Sequence, residues 1–157
     1  MMKKILFLFI FCSAFCFAQM PDISKVWLNN SKPYTGTIGK EGEILKLKIN
    51  ISDQDKKKDQ EYFVSGYSLV DKVYAKFEGK IKITKYKNSG KKGHVYGEYD
   101  FAEENKGKHS GQFKGKFVYT FTWDKDKEKI EEQDIEFTGD WFSYDATMTF
   151  KTRFKNQ

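Results

Sequence analysis

Two histidines are the side chains of this sequence best suited to acid–base or metal chemistry. His94 and His109 lie at polar positions of the alternating pattern or in turns, and the spacing of Ser and Asp residues suggests no hydrolytic triad with either one. The pair would bind a metal ion only if the fold brought the two rings together. We therefore interpret both as solvent-exposed imidazoles and predict neither a metal site nor a cofactor.

Carboxylates are the second group that could do chemistry. Glu98, Asp100 and Asp140 could supply an acid–base pair if two of them shared a cleft, as in glycoside hydrolysis. In segments 53–59 and 124–128 the carboxylates are interspersed with lysines, and no Gly supplies the turn of a calcium loop. Such segments are typical of solvated turns. We expect a noncatalytic protein and keep an enzyme as a third possibility.

Aromatic side chains are the third resource, because they make up 17% of the chain. In a β-strand, aromatic residues at every second position would face inward together. They would either fill a small core or line a ligand cavity. Tyr67, Tyr86, Tyr96 and Phe142 lie off this phase and would form a binding platform if they shared one face. The candidate ligand-binding residues, on the phase that also includes Phe150, are Phe113, Phe117, Tyr119, Phe121, Trp123, Phe137 and Trp141.

The first 18 residues are typical of a secretory signal peptide. A basic start at Lys3 and Lys4 precedes an apolar run at residues 5–11, and the small residue Ala18 precedes the polar Gln19. We predict cleavage after Ala18 and a secreted or periplasmic location in a bacterium. Because the apolar run is too short to cross a bilayer, we expect no transmembrane segment after cleavage.

Both cysteines lie inside this predicted signal. Cys12 and Cys16 each follow a Phe, whereas lipidation requires a Cys after a small residue, so a lipoprotein signal fits less well. Cleavage would leave a domain with no disulfide, no thiol nucleophile and no cysteine-ligated zinc. We expect burial of apolar surface alone to stabilise such a domain, which its length allows.

The elements that must position the aromatics are β-strands. Apolar and polar residues alternate with a period of two, no segment has helical apolar spacing, and no Pro occurs after Pro33. Charged or Gly-bearing segments of hairpin-loop size separate the strands, at residues 53–60, 87–92, 103–108 and 124–133. After an irregular segment at residues 19–33, we predict one all-β domain over residues 34–157, an antiparallel up-and-down meander. The clearest alternation occurs in residues 45–51, 75–83, 95–101, 111–123, 135–141 and 146–154.

A glycine repeat indicates how this meander closes. The pattern of a large residue, any residue, Gly, any residue and a large residue recurs, as in the segments centred on Gly36, Gly79, Gly97, Gly115 and Gly139. Gly weakens a strand unless close approach or sharp bending requires it. This favours a small closed barrel of about eight to ten strands, with a β-sandwich as the alternative.

With its signal peptide, short amphipathic strands and glycine–aromatic pattern, the chain resembles the secreted bacterial calycins, the lipocalin- and avidin-like barrels. The resemblance implies that an early Trp and a late Arg pair across the closed end, and Trp27 and Arg153 occupy those places. Lys25 stands where the family has a Gly two residues before that Trp. The resemblance implies no particular ligand.

Charge bears on possible partners. The formal net charge is +6, and the basic charge is concentrated in residues 71–116. Arg153 is the sole Arg, whereas proteins that recognise nucleic-acid bases rely on Arg for bidentate contacts, so we expect no nucleic-acid partner.

The leading hypothesis is an exported binding module for a small hydrophobic molecule or a partner surface. The alternative is an envelope interaction protein, of inhibitor or immunity type, that acts through charged loops such as residues 87–92.

Overall fold

The computed structural model describes residues 20–157, so the predicted signal peptide lies outside the described residues. A one-turn helix, α1 (Ser24–Trp27), and a 3-10 turn (Asn29–Ser31) precede the sheet. Within the described residues no helix is long and apolar enough to cross a bilayer. The strands are β1 (Tyr34–Ile38), β2 (Glu43–Gln54), β3 (Glu61–Val70), β4 (Val73–Ser89), β5 (Lys92–Glu103), β6 (Gly111–Asp124), β7 (Lys129–Ser143) and β8 (Thr149–Lys155).

The eight strands form a closed barrel in chain order. Each strand pairs antiparallel with the next, and β1 pairs antiparallel with β8 to close the sheet. This confirms the prediction of an all-β meander closed into a small barrel, and the sandwich alternative is wrong. Among residues 20–157, closure pairs every strand of the barrel with a neighbour on both sides, which protects the sheet from edge-to-edge association.

The chain connections define two ends of the barrel. At the open end lie the loops at residues 39–42, 71–72, 104–110 and 144–148. At the closed end lie the loops at residues 55–60, 90–91 and 125–128 together with the segment that precedes β1. Three of these loops are shorter than the sequence predicted, because β2 continues to Gln54, β4 continues to Ser89 and β7 already begins at Lys129. The loop at residues 104–110 is slightly longer than predicted.

The segment predicted to be irregular closes its end of the barrel with Trp27. This side chain is fully buried, and its ring makes edge contacts with Tyr62, Phe117 and Tyr119 at centroid distances of 5.8, 5.1 and 6.1 Å. The Tyr34 hydroxyl donates a 2.9 Å hydrogen bond to the Trp27 carbonyl oxygen. These contacts fix the short helix against the closed end of the barrel.

Aromatic rings fill the middle of the barrel. Phe137 stacks on Phe154 at 4.9 Å and meets the edges of Tyr34 and Tyr99 at 5.1 and 5.2 Å. Burial raises the pKa of Tyr99 and of Tyr119 to about 12, and it raises the pKa of Tyr34 as well. The central lumen is therefore a packed core.

The glycines of the repeat face this core at close approach to the neighbouring strand. Gly79 lies opposite Phe101, and a Cβ there would come within 2.0 Å of the Asp100 carbonyl oxygen. Gly97 lies opposite Phe117, where a Cβ would come within 2.1 Å of the Lys82 carbonyl oxygen. The glycines thus make room for aromatic rings and strand bending, as the sequence predicted.

The alternation departs from the sequence prediction at three places. A register shift between Ile49 and Ile51 turns Ile51 outward, where it is 50% exposed. Trp123 is 39% exposed, because it lies near the tip of the β6–β7 hairpin beside another register shift. Ala146 adopts a positive φ in the loop before β8 rather than strand geometry.

Candidate functional site

A cavity of about 340 Å³ opens at the open end of the barrel. Its lining comes from all eight strands and three of the connecting loops, so closure of the barrel is what assembles it. Below it the aromatic core forms the floor. We call this cavity the mouth, and its lining consists of Ile38, Glu43, Ser68, Val70, Asp71, Val73, Ala75, Glu103, His109, Phe113, Trp141, Met148 and Phe150.

One wall of the mouth is aromatic. Trp141 and Phe150 are cross-strand partners whose rings stack at 5.7 Å with an interplanar angle of 16°. Phe113 lies opposite Trp141 on β6 and is fully buried, whereas Phe150 is 38% exposed at the rim. The wall thus combines a rigid buried base with an accessible upper ring, as apolar ligand sites commonly do.

A buried carboxylate lies in the same cavity. Glu103 is the last residue of β5 and is 7% exposed. Its Oε1 accepts a 2.5 Å hydrogen bond from the Ser68 hydroxyl, and its Oε2 accepts 3.0 Å hydrogen bonds from the Gly111 N–H and from the Trp141 indole N–H. This carboxylate joins β3, β5, β6 and β7 at the open end and fixes the orientation of the Trp141 ring.

The loop at residues 144–148 forms part of the rim. Asp145 accepts hydrogen bonds from the hydroxyls of Ser143 and Thr147, each at 2.7 Å. Together with the Thr147 N–H, the Thr147 and Ser143 hydroxyls lower the Asp145 pKa to about 2. The Tyr144 hydroxyl donates to the Glu103 carbonyl oxygen. The Ser143 hydroxyl also accepts a 2.9 Å hydrogen bond from the N–H of Met148, which lines the mouth.

The structure divides the predicted ligand-binding residues among four places. Phe113 and Trp141 line the mouth. Phe117 and Phe137 are buried in the central core and do not line the mouth. The other three lie toward the closed end: Tyr119 and Phe121 line a groove beside the N-terminal segment, and Trp123 lies at the hairpin tip.

This second depression, which we call the N-terminal groove, has a volume of about 430 Å³ and an almost entirely apolar lining. It includes Met20 and Val26 from the segment before β1, together with Tyr86, Phe121 and Ile130 from the strand ends. The two ends of the barrel therefore differ in chemistry, because only the mouth also carries carboxylates.

The predicted closure pair does not form. Trp27 lies inside the barrel, whereas Arg153 lies on the outer wall, where its guanidinium makes a bidentate contact with Glu136 at 3.1 and 3.0 Å. The reason is strand parity, because the flanking residues Thr152 and Phe154 are the ones that face inward.

The carboxylates that an enzyme would have used lie on the outer wall. Asp100 pairs with Lys114 at 3.4 Å, and Asp140 pairs with Lys151 at 2.8 Å, within a cross-strand row of alternating charge. Glu98 lies exposed on the same wall, in register with Lys116. These three residues form surface ion pairs or face solvent, and none of them lines the mouth.

The two histidines lie at opposite ends of the barrel. His94 is on β5 near the closed end, where its Nδ1 lies 3.1 Å from the Thr120 hydroxyl, and His109 is in a loop at the mouth. No group of three or more His, Cys, Asp or Glu side chains able to hold a metal occurs within residues 20–157.

The off-phase aromatics do not share one face. Tyr67 stacks on Tyr74 at 5.0 Å, toward the open end of β3. Tyr96 lies toward the closed end of β5, and Phe142 lies on β7 near the open end. Tyr86 lines the N-terminal groove because a register shift near Thr84 changes the phase of β4.

Glu103 is not among the site residues predicted from the sequence, because it falls in the charged segment at residues 103–108 that was predicted to be a loop. Its position two residues after Phe101 places it on the inward face of β5, and an acidic residue at an inward position was the available signal.

Comparisons of the chain with protein-family models, with curated proteins and with solved structures find no match. The eight-stranded antiparallel barrel is consistent with a calycin-like fold.

Proposed function

We propose that this protein is an exported, noncatalytic member of the calycin-like barrels that binds a small apolar or aromatic molecule in its mouth. The observation that carries the proposal is the mouth itself, a cavity of about 340 Å³ with a stacked aromatic wall. Ligand cavities of roughly 300–1,000 Å³ with mainly apolar walls and a few convergent polar groups are typical of small-molecule sites.

The packing of the rest of the barrel supports this location. The central lumen is filled with buried rings, and the opposite end is sealed by Trp27, so the mouth is a shallow site with a rigid floor. A rigid floor and a fixed Trp141 ring reduce the ordering that a ligand must impose when it binds. A noncatalytic role agrees with the position of Asp100 and Asp140 in surface ion pairs.

The three tryptophans allow a direct test, because each reports on a different region. Trp141 lies in the mouth, Trp27 at the closed end and Trp123 at a hairpin tip. Proton–nitrogen correlation spectra would be recorded while phenethyl alcohol is added, with indole signals assigned by single Trp→Phe variants. We expect the Trp141 indole signal to move in a saturable way while the other two remain in place. Saturable movement of the Trp27 signal alone, or no movement with either the alcohol or its ammonium counterpart phenethylammonium, would contradict the proposal.

A second candidate function is binding of an envelope protein, as an inhibitor or immunity protein does. The observation that favours it is the N-terminal groove, whose exposed Tyr86 and Ile130 lie near the lysine-bearing hairpin at residues 87–92. Replacing Lys87, Lys91 and Lys92 by Ala should then abolish capture of the partner from an envelope extract. Retention of every captured protein would count against this function.

A further inference from the structure

The mouth has an acidic lining, although the chain as a whole carries a net positive charge. The chain has 28 Lys and Arg residues against 22 Asp and Glu, yet no Lys or Arg side chain lines the mouth in the described part of the chain. Glu43, Asp71 and Glu103 do line it. None of the three has a cationic side chain within 4.0 Å among residues 20–157.

Glu103 is the centre of this negative field. Its three hydrogen-bond donors are neutral groups, so they solvate the carboxylate without cancelling its charge. A carboxylate has about four lone-pair positions, and only one donor reaches Oε1. A further donor from a molecule in the mouth can therefore be accepted.

The aromatic wall also favours a positively charged ligand. Trp141 and Phe150 both line the cavity, and the electron-rich face of an aromatic ring attracts cations. A carboxylate beside an indole ring in a partly desolvated cavity is thus complementary to an ammonium group joined to an apolar body.

We propose that the mouth selects small organic ammonium ions, with the ammonium directed to the Glu103 carboxylate and the apolar body held against Trp141 and Phe150. This specificity rests on the proposed function, because it assigns a ligand class to the same cavity. Glu43 and Asp71 at the rim attract such a cation before it enters.

The test compares three probes of nearly the same shape, which are phenethylammonium, phenethyl alcohol and hydrocinnamate. Their dissociation constants would be measured by calorimetry on the intact protein and, for mouth occupancy, by the Trp141 indole signal. A charge-assisted hydrogen bond in a partly buried site predicts that the ammonium binds about tenfold or more tightly than the alcohol, and that the carboxylate binds weakest.

Glu103→Gln is the matched variant. The Gln side-chain oxygen can still accept from Gly111 and Trp141, and the Ser68 hydroxyl can rotate to accept from the amide, so the fold is retained while the charge is removed. We expect the preference for the ammonium over the alcohol to fall to less than about threefold.

The outcomes separate the two claims. If the alcohol binds wild-type protein as tightly as the ammonium, the ammonium specificity is wrong while the mouth remains a ligand site. If none of the probes binds, both claims are wrong. The comparison of probes on wild-type protein does not depend on the folding of any variant.

Discussion

The indole N–H of Trp141 donates a 3.0 Å hydrogen bond to the carboxylate of Glu103, although 38 residues separate them in the chain. The same carboxylate oxygen accepts the Gly111 N–H, and the other accepts the Ser68 hydroxyl. One side chain thus links four strands at the open end and orients the aromatic wall of the mouth.

This linkage predicts a difference between two substitutions at one position. Glu103→Ala leaves three buried donors without an acceptor, and we expect it to lower the free energy of unfolding by about 2 kcal/mol or more. Glu103→Gln keeps an acceptor for the Gly111 and Trp141 donors, and its amide can donate to the Ser68 hydroxyl, so it should cost less than half as much. Urea unfolding curves measure both, and equal losses would show that the hydrogen bonds do not stabilise the open end.

Closure of the other end depends on Trp27. Because this side chain is fully buried against Tyr62, Phe117 and Tyr119, Trp27→Ala should lower the free energy of unfolding by about 3–5 kcal/mol. Trp123→Ala is the matched control, and at an exposed hairpin tip it should change stability by about 0.5 kcal/mol or less. Comparable losses in the two variants would contradict the closure assigned to Trp27.

The glycine positions make a steric prediction. A Cβ at Gly79 would lie 2.0 Å from the Asp100 carbonyl oxygen, so β4 and β5 would have to separate. We expect Gly79→Ala to cost about 1–3 kcal/mol, as overpacking commonly does. Lys82→Ala, on the exposed face of the same strand, serves as the control and should be nearly neutral. Thermal unfolding of the two variants tests this, and a stable Gly79→Ala protein would refute the close approach.

Alkaline pH should unfold the barrel through its buried tyrosines. Burial raises the pKa of Tyr99 and Tyr119 to about 12, from about 10 for an exposed phenol. The folded state holds these phenolic protons more tightly than the unfolded state. The two tyrosines therefore make their full contribution to the free energy of unfolding below about pH 10, and this contribution is lost as the pH rises from about 10 toward 12. Unfolding followed by circular dichroism across this range should coincide with tyrosinate absorbance. Full tyrosine ionisation before any loss of structure would contradict the prediction.

The barrel could be predicted from the sequence because the patterns that indicate it, alternation and the glycine repeat, occur within single strands. Alternation of apolar and polar residues sets the strand faces, and the opposition of Gly79 to Phe101 explains why the repeat indicates a closed sheet. Register shifts were not predictable in this way, because one extra residue, as at Asn50, moves the following side chain to the other face without changing composition.

The site was harder to predict than the fold. Phe113 and Phe117 lie on the same strand phase, yet one lines the mouth and the other is enclosed in the core. Depth along the barrel separates them, and depth depends on where the loops and the N-terminal segment close the ends. Arg153 was placed wrongly for a different reason, because its pairing with Trp27 was taken from the family resemblance, whereas the alternation of residues 146–154 already puts Thr152 and Phe154 inward and Arg153 outward.

One comparison of dissociation constants decides whether ligands bind in the mouth. Ala75 lines the mouth on β4, whereas Ala102 lies on the outer face of β5. Calorimetric titration of Ala75→Phe and Ala102→Phe with phenethylammonium compares a blocked mouth with an equal change on the outside. We predict that Ala75→Phe weakens binding about tenfold or more and that Ala102→Phe leaves it unchanged. Equal affinities in the two variants would show that the probe does not bind in the mouth.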